Sequence, residues 1–175
     1  MKVALLGATE FVGSALLNEA PSRGHSVTAI AGDAGTLAAD VPVLQLSLNL
    51  IQGPEFHFAL GQKLKYLRDQ GILIVGSGNI VHNLRRINFA DDARPLDWAL
   101  EVDAWVKQRV ADGDYKAIVH DARDTEAGKL SIPTPDHWYP LLYALGAADN
   151  GEPLRFEYEG IENASISMRC LSLGA

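Results

Sequence analysis

At 175 residues, with 47% apolar and 21% charged residues, the chain is about the size of one domain and can bury a substantial core. A net charge of −7 with no run of lysine or arginine lacks the positive field that phosphate-backbone binding requires, so no nucleic-acid partner is expected. Cys170 is the single cysteine, no stretch reaches membrane-spanning length and Val3 to Leu6 is too short for a signal-peptide core, so a cytoplasmic protein with no disulfide, no thiolate cluster and no membrane association is expected.

The first element is an apolar strand from Lys2 to Leu6. The turn Gly7-Ala8-Thr9-Glu10-Phe11-Val12-Gly13 follows, then a helix whose apolar positions include Val12, Leu16 and Leu17. Gly24 closes that helix and Ser26 to Ile30 supplies a second strand, so the first forty residues read as a β-α-β unit. This opening resembles the amino terminus of NmrA-like, atypical short-chain dehydrogenase Rossmann proteins, which usually read GATGFVG here. The resemblance makes Gly7 and Gly13 the cofactor-binding candidates. The middle glycine is replaced by Glu10, which sets a negative side chain where the backbone should approach the pyrophosphate, so NAD(P) binding is not expected.

VPVLQLSL, residues 41–48, reads as another strand apolar on both faces. GPEFHFALGQKLKYLRDQG is an amphipathic helix with Pro54 near its start, a stripe of Phe56, Leu60, Leu64 and Leu67, and Gly71 at its end. His57 lies beside that stripe as a packing or surface residue. Ile72 to Val75 is a buried strand, and Gly76-Ser77-Gly78 turns the chain at its carboxyl end, where open α/β sheets collect ligands. Asn79 can cap a short helix with Ile80, Leu84 and Ile87 on its buried face, which puts His82 in a first turn whose dipole favours neutral imidazole.

A polar loop, Asn88 to Pro95, leads to a helix from Leu96 to Val110 with Trp98, Val102, Trp105 and Val106 as its core side. Asp114 to Asp121 reads as a short helix with His120 exposed, and Ala122 to Leu130 as loop. In SIPTPDHWYPLLYALGA, Thr134 can cap a helix with Pro135 at its first position, placing His137 in the first turn; alternatively the helix begins at Pro140. Leu141, Leu142 and Leu145 are its buried stripe. Leu154 to Glu159 and Ser165 to Leu173 alternate as strands joined by GIENA. The expected fold is a single three-layer α/β/α domain over residues 1–175, with a mostly parallel sheet and a carboxyl-terminal antiparallel strand pair.

Residues from about Asp40 to Gly174 resemble the carboxyl-terminal half of the 4,5-DOPA extradiol dioxygenase family, aromatic ring-opening enzymes with a non-haem metal. VPVLQLSL, GSGNIVHNLR, DWALEVDAWVK, PTPDHWYPLLYALGA and EGIENASISM carry the resemblance, in the family's order. It implies that His82 and His137 are metal-site histidines, that the metal is Fe(II) or Zn(II), and that the substrate is a small catechol-type aromatic. The family's Gly-His-Gly, Ser-Ala-His-Trp and Asp-His-Gly stretches do not occur here, so the chain reads as a mosaic with an incomplete metal site. Glu10 is the carboxylate nearest to where a ligand is missing, and with His82 and His137 it would complete a two-histidine, one-carboxylate set. The competing readings are a folded domain without activity and a weak NAD(P)-binding module. A truncated sheet with one foreign edge would expose apolar surface and favour a homodimer.

Overall fold

The computed structural model describes residues 2–6, 26–29 and 46–174. The turn with Gly7, Glu10 and Gly13, the first helix and most of the 41–48 stretch therefore lie outside the described residues. The chain divides into two compact units, one holding residues up to Ser77 together with Pro140–Ala147, the other Gly78–Tyr139 together with the residues from Ala148 on. The α/β class expected from the sequence holds, with small antiparallel strand pairs toward the carboxyl end.

In the first unit, strands β1 (Lys2–Leu6), β2 (Ser26–Ala29) and β3 (Ile72–Gly76) pair in the order β2-β1-β3. Both pairings are parallel, with Lys2 opposite Ser26 on one side and Ile72 on the other. β3 is not the fully buried strand its composition suggests: Ile72, Ile74 and Val75 are half-buried and Leu73 is 37% exposed, and among the described strands β3 ends the row.

A helix spans Pro54–Leu64, opened by the proline after Gly53, and a further turn covers Tyr66–Asp69 before Gly71 takes a left-handed φ of 72°. Its buried face is centred on His57 and Gly61, while Phe56 is exposed. The reason is a close crossing. A Cβ on Gly61 would sit 2.5 Å from the Tyr143 carbonyl oxygen, and one on Gly146 would meet the Phe58 carbonyl. The helix therefore turns its small residue, not its largest ones, toward the Tyr139–Gly146 helix. In that second helix Leu142, Tyr143 and Leu145 are buried, and His57 Nδ1 lies 3.0 Å from the Tyr143 hydroxyl.

The second unit is built on the Asp97–Ala111 helix, which packs against helices Tyr115–His120 and Glu126–Ser131. Its buried positions are Ala99, Val102, Asp103, Val106 and Val110, so the tryptophans Trp98 and Trp105 flank the core stripe at half burial instead of forming it. Asp114 caps the next helix through the Ala117 amide, as its position suggests. The Ala122–Leu130 stretch is not all loop: Thr125 accepts from the Gly128 amide and starts a helix that the polar composition hid.

The carboxyl-terminal strands nest one pair inside another. β4 (Leu154–Tyr158) runs antiparallel to β7 (Cys170–Leu173), and between them β5 (Ile161–Glu162) pairs with β6 (Ile166–Ser167). The inner turn holds Asn163 and Ala164 at positive φ, 49° and 67°, and Ala164 is buried there.

Candidate metal and proton-transfer site

The segment after β3 does not become a helix at Ile80. Ile80, Val81 and His82 are consecutively buried, unlike the one-sided stripe expected, and Leu84 of that stripe is 65% exposed. His82 instead makes an isolated antiparallel bridge with Ile166, and its amide donates to the Ser131 carbonyl at 3.0 Å. A single 3-10 turn, Leu84–Arg86, follows, with Asn83 and not Asn79 as its cap. The dipole argument for a neutral His82 thus fails, and burial takes its place.

His137 lies in the turn Asp136–Trp138, just before the Tyr139–Gly146 helix, where the amides of Trp138 and Tyr139 donate to the Pro135 carbonyl at 3.0 and 2.9 Å. Pro140 is tolerated at the second helical position because the first amides of a helix have no intrahelical acceptor to lose. The fold brings the two histidines together, with ring centres 5.1 Å apart and planes tilted by 37°. Two imidazoles sharing one ion at about 2.0–2.1 Å have ring centres roughly 5 Å apart, so the spacing suits a common ligand.

The surroundings of the two rings differ. His82 is 3% exposed, with Nδ1 3.0 Å from the Asn79 carbonyl oxygen and Nε2 2.8 Å from that of Thr134. Burial lowers its pKa from the ordinary value, against the two carbonyls and Asp136, which favour the charged form; His137 adds to the lowering. A neutral ring has one N–H, so one of its nitrogens keeps a lone pair turned on a carbonyl oxygen. That lone pair gains from any proton donor or cation that displaces the carbonyl. His137 is half-buried, with Nε2 3.5 Å from the Asp136 carboxylate. Burial works against ionisation of Asp136, but the Thr134 hydroxyl, its own backbone and the two imidazoles outweigh it and hold its pKa below the usual value.

As a donor set the described residues are partial. No group of three histidine, cysteine, aspartate or glutamate side chains is placed to hold an ion among them, and His82 as placed has both nitrogens on backbone carbonyls. The pair fits two corners of a metal site and does not fit a whole one. Glu10 lies outside the described residues, as do Gly7 and Gly13. His120 is exposed, and His57 is buried against Tyr143, as a packing histidine should be.

Around His82 the residues that sequence reasoning missed are Asn79, Ser131, Thr134, Ile166 and Ser167, which act through backbone groups or short side chains. The Asn79 side-chain amide donates to the Ser167 backbone carbonyl at 2.8 Å, while the Asn79 backbone carbonyl faces His82 Nδ1. The sequence offered Asn79 and Thr134 only as helix caps, EGIENASISM holds Ile166 and Ser167 without roles, and Ser131 had none.

Residues 34–168 match the family described as the catalytic LigB subunit of aromatic ring-opening dioxygenase, and the chain belongs to that family. Among its relatives, it is 42% identical over 139 residues to a protein named 4,5-DOPA dioxygenase extradiol from Escherichia coli (strain K12), a match covering 78% of this chain and 51% of that protein. A protein of the same name from Beta vulgaris is 36% identical over 110 residues, covering 63% of this chain and 41% of its own. The crystal structure of an uncharacterised Escherichia coli K12 protein superposes with a TM-score of 0.72 at 35% identity, covering 92% of this chain and 71% of the other. The chain thus spans about half the length of the named relatives it matches. Nothing in these matches supports an NmrA-like origin for residues 1–39, and the family match already begins at residue 34.

Proposed function

We propose that this chain contributes His82 and His137 to the metal-dependent, extradiol opening of a catechol-type ring. The observation that carries the reading is the 5.1 Å ring separation of two histidines from distant segments, inside a chain of the ring-opening dioxygenase family. His82 and His137 would hold Fe(II) or Zn(II), an ion that would supply Lewis-acid binding of the aromatic oxygens. In this reading His137, whose ring is half-exposed, is the readier ligand. Glu10, which lies outside the described residues, is the carboxylate proposed as a further donor.

A second role for His82 follows in the tautomer whose Nδ1–H donates to the Asn79 carbonyl, which leaves the Nε2 lone pair facing the Thr134 carbonyl. A neutral, buried imidazole whose lone pair faces an acceptor takes a proton from an aromatic hydroxyl that displaces that acceptor, which is the acid–base step a catechol requires. The site then uses His137 to hold and His82 to accept. The test is anaerobic loading of the purified full chain with Fe(II), followed by a catechol and air. Growth of the ring-opened product's long-wavelength absorbance is expected, reduced at least tenfold in His137→Ala. Retention of bound iron by the wild type with no product from any catechol would leave a folded, inactive domain as the correct reading.

A further inference from the structure

Arg169 and Asp103 form an ion pair buried far from where the sequence drew attention: their side chains are 4% and 10% exposed. The Asp103 carboxylate also accepts from Arg169 Nε at 3.0 Å and from the Ser167 hydroxyl at 2.6 Å, and the Arg169 amide donates back to that hydroxyl at 3.2 Å. Arg169 reaches Glu159 at 2.7 Å with its other arm, and Lys107 joins Glu159 at 2.8 Å. Phe156 lies under both cations, 5.2 Å from the guanidinium and 5.3 Å from the ammonium. A charge this buried is retained in a fold when its partners fix a geometry.

The geometry fixed is that of Ser167, and Ser167 leads directly to the histidine. Its amide donates to the Val81 carbonyl at 2.9 Å, its carbonyl accepts from the Asn79 side chain at 2.8 Å, and its neighbour Ile166 bridges His82. The backbone carbonyl of the residue so anchored by its side chain, Asn79, is the partner of His82 Nδ1. Ser165 adds a hydroxyl bond to the Asn83 carbonyl at 3.0 Å, so the strand grips the segment on both sides of the ring. We propose that Asp103 and Arg169 are positioning residues for the His82 imidazole, acting through Ser167 and Asn79. The claim rests on His82 being a site residue.

Long-range proton–nitrogen correlation spectra of the imidazole rings in the nitrogen-15-labelled, metal-free full chain test it, with the His82 signals assigned by their loss in His82→Gln. Ser167→Ala removes one hydroxyl from the Asp103 carboxylate and the Arg169 amide but keeps the Asp103–Arg169 pair, so the protein should fold with a lowered melting point. The His82 nitrogen resonances should move toward those of a solvent-exposed ring, while the His57 resonances stay in place. Asp103→Asn should move them further, and Arg169→Lys, which keeps the charge but not the fork, should fall between. If Asp103→Asn does not fold, Ser167→Ala decides alone. His82 resonances that superpose on wild type in a folded Ser167→Ala protein would overturn the proposal. Because no metal or substrate enters the measurement, a chain that binds no ion refutes the proposed function and leaves this result standing.

Discussion

Replacing Gly61 by alanine sets two effects of opposite sign against each other, and the structure decides between them. In an unobstructed helix interior the change stabilises by about 0.8–1 kcal/mol, through propensity and a less flexible unfolded chain. At Gly61 the new methyl would stand 2.5 Å from the Tyr143 carbonyl oxygen, 3.0 Å from its Cα and 3.1 Å from its carbonyl carbon. All three are backbone atoms of a helix in which Leu142 and Leu145 are themselves buried, so no side chain can rotate away. Relief requires the helices to part by something near an ångström, and overpacking of that kind costs about 1–3 kcal/mol, with the loosened His57–Tyr143 hydrogen bond adding about 1. The net expectation is destabilisation by roughly 1–3 kcal/mol, or a melting temperature lower by about 2–4 °C for each kcal/mol in a chain of this length. Differential scanning calorimetry of Gly61→Ala against wild type measures it. A melting point equal to or above wild type would show that the two helices do not cross where described.

Two further predictions follow from single residues. Ala164 is buried at φ 67°, so Ala164→Gly relieves a strain of about 1–2 kcal/mol that offsets the lost methyl and added chain entropy. Denaturant titration should place it within about 1 kcal/mol of wild type, whereas Ala99→Gly, at a fully buried helical position, should lose roughly 2; equal losses would contradict the turn geometry. Burial lowers the pKa of His57, against backbone carbonyls of Gln52 and Asn49 that raise it, so below about 6.5 the unfolded chain binds a proton that the folded one refuses. Stability is therefore intact above that pH and falls as the pH drops through it; His57→Gln should flatten this slope between pH 7.5 and 5, and an unchanged slope would refute the assignment.

What the sequence made legible is what short-range pattern can carry. The Asp97–Ala111 helix follows from apolar spacing, β3 from a β-branched run between glycines, and the Tyr115–His120 helix from the short helical stretch read over Asp114 to Asp121. The neighbourhood of His82 was not legible because it is made by partners distant in the chain: Ser131, Thr134 and Ile166, all of them through backbone groups that any residue supplies. Ile80, Leu84 and Ile87 imitate a helical stripe, yet the tertiary bridge buries Ile80, Val81 and His82 in succession and turns Leu84 outward. Phe56 misled in the same way, since the glycine crossing at Gly61 and not side-chain size sets which face is covered. Asp103 and Arg169 lie 66 residues apart, so nothing in the local pattern pairs them before the fold places them together.

If His137 holds a metal with His82 beside it, the wild-type chain binds zinc and loses it with the His137 imidazole. Calorimetric titration of the full chain with Zn(II), run in parallel on wild type, His137→Ala, His82→Ala and Glu10→Gln, measures this. One site per chain is expected in the wild type, with affinity lowered at least a hundredfold by His137→Ala, and with a smaller loss in His82→Ala if its role is to accept a proton. A wild-type chain that binds no zinc, or a His137→Ala protein that binds it as tightly as wild type, would contradict the account.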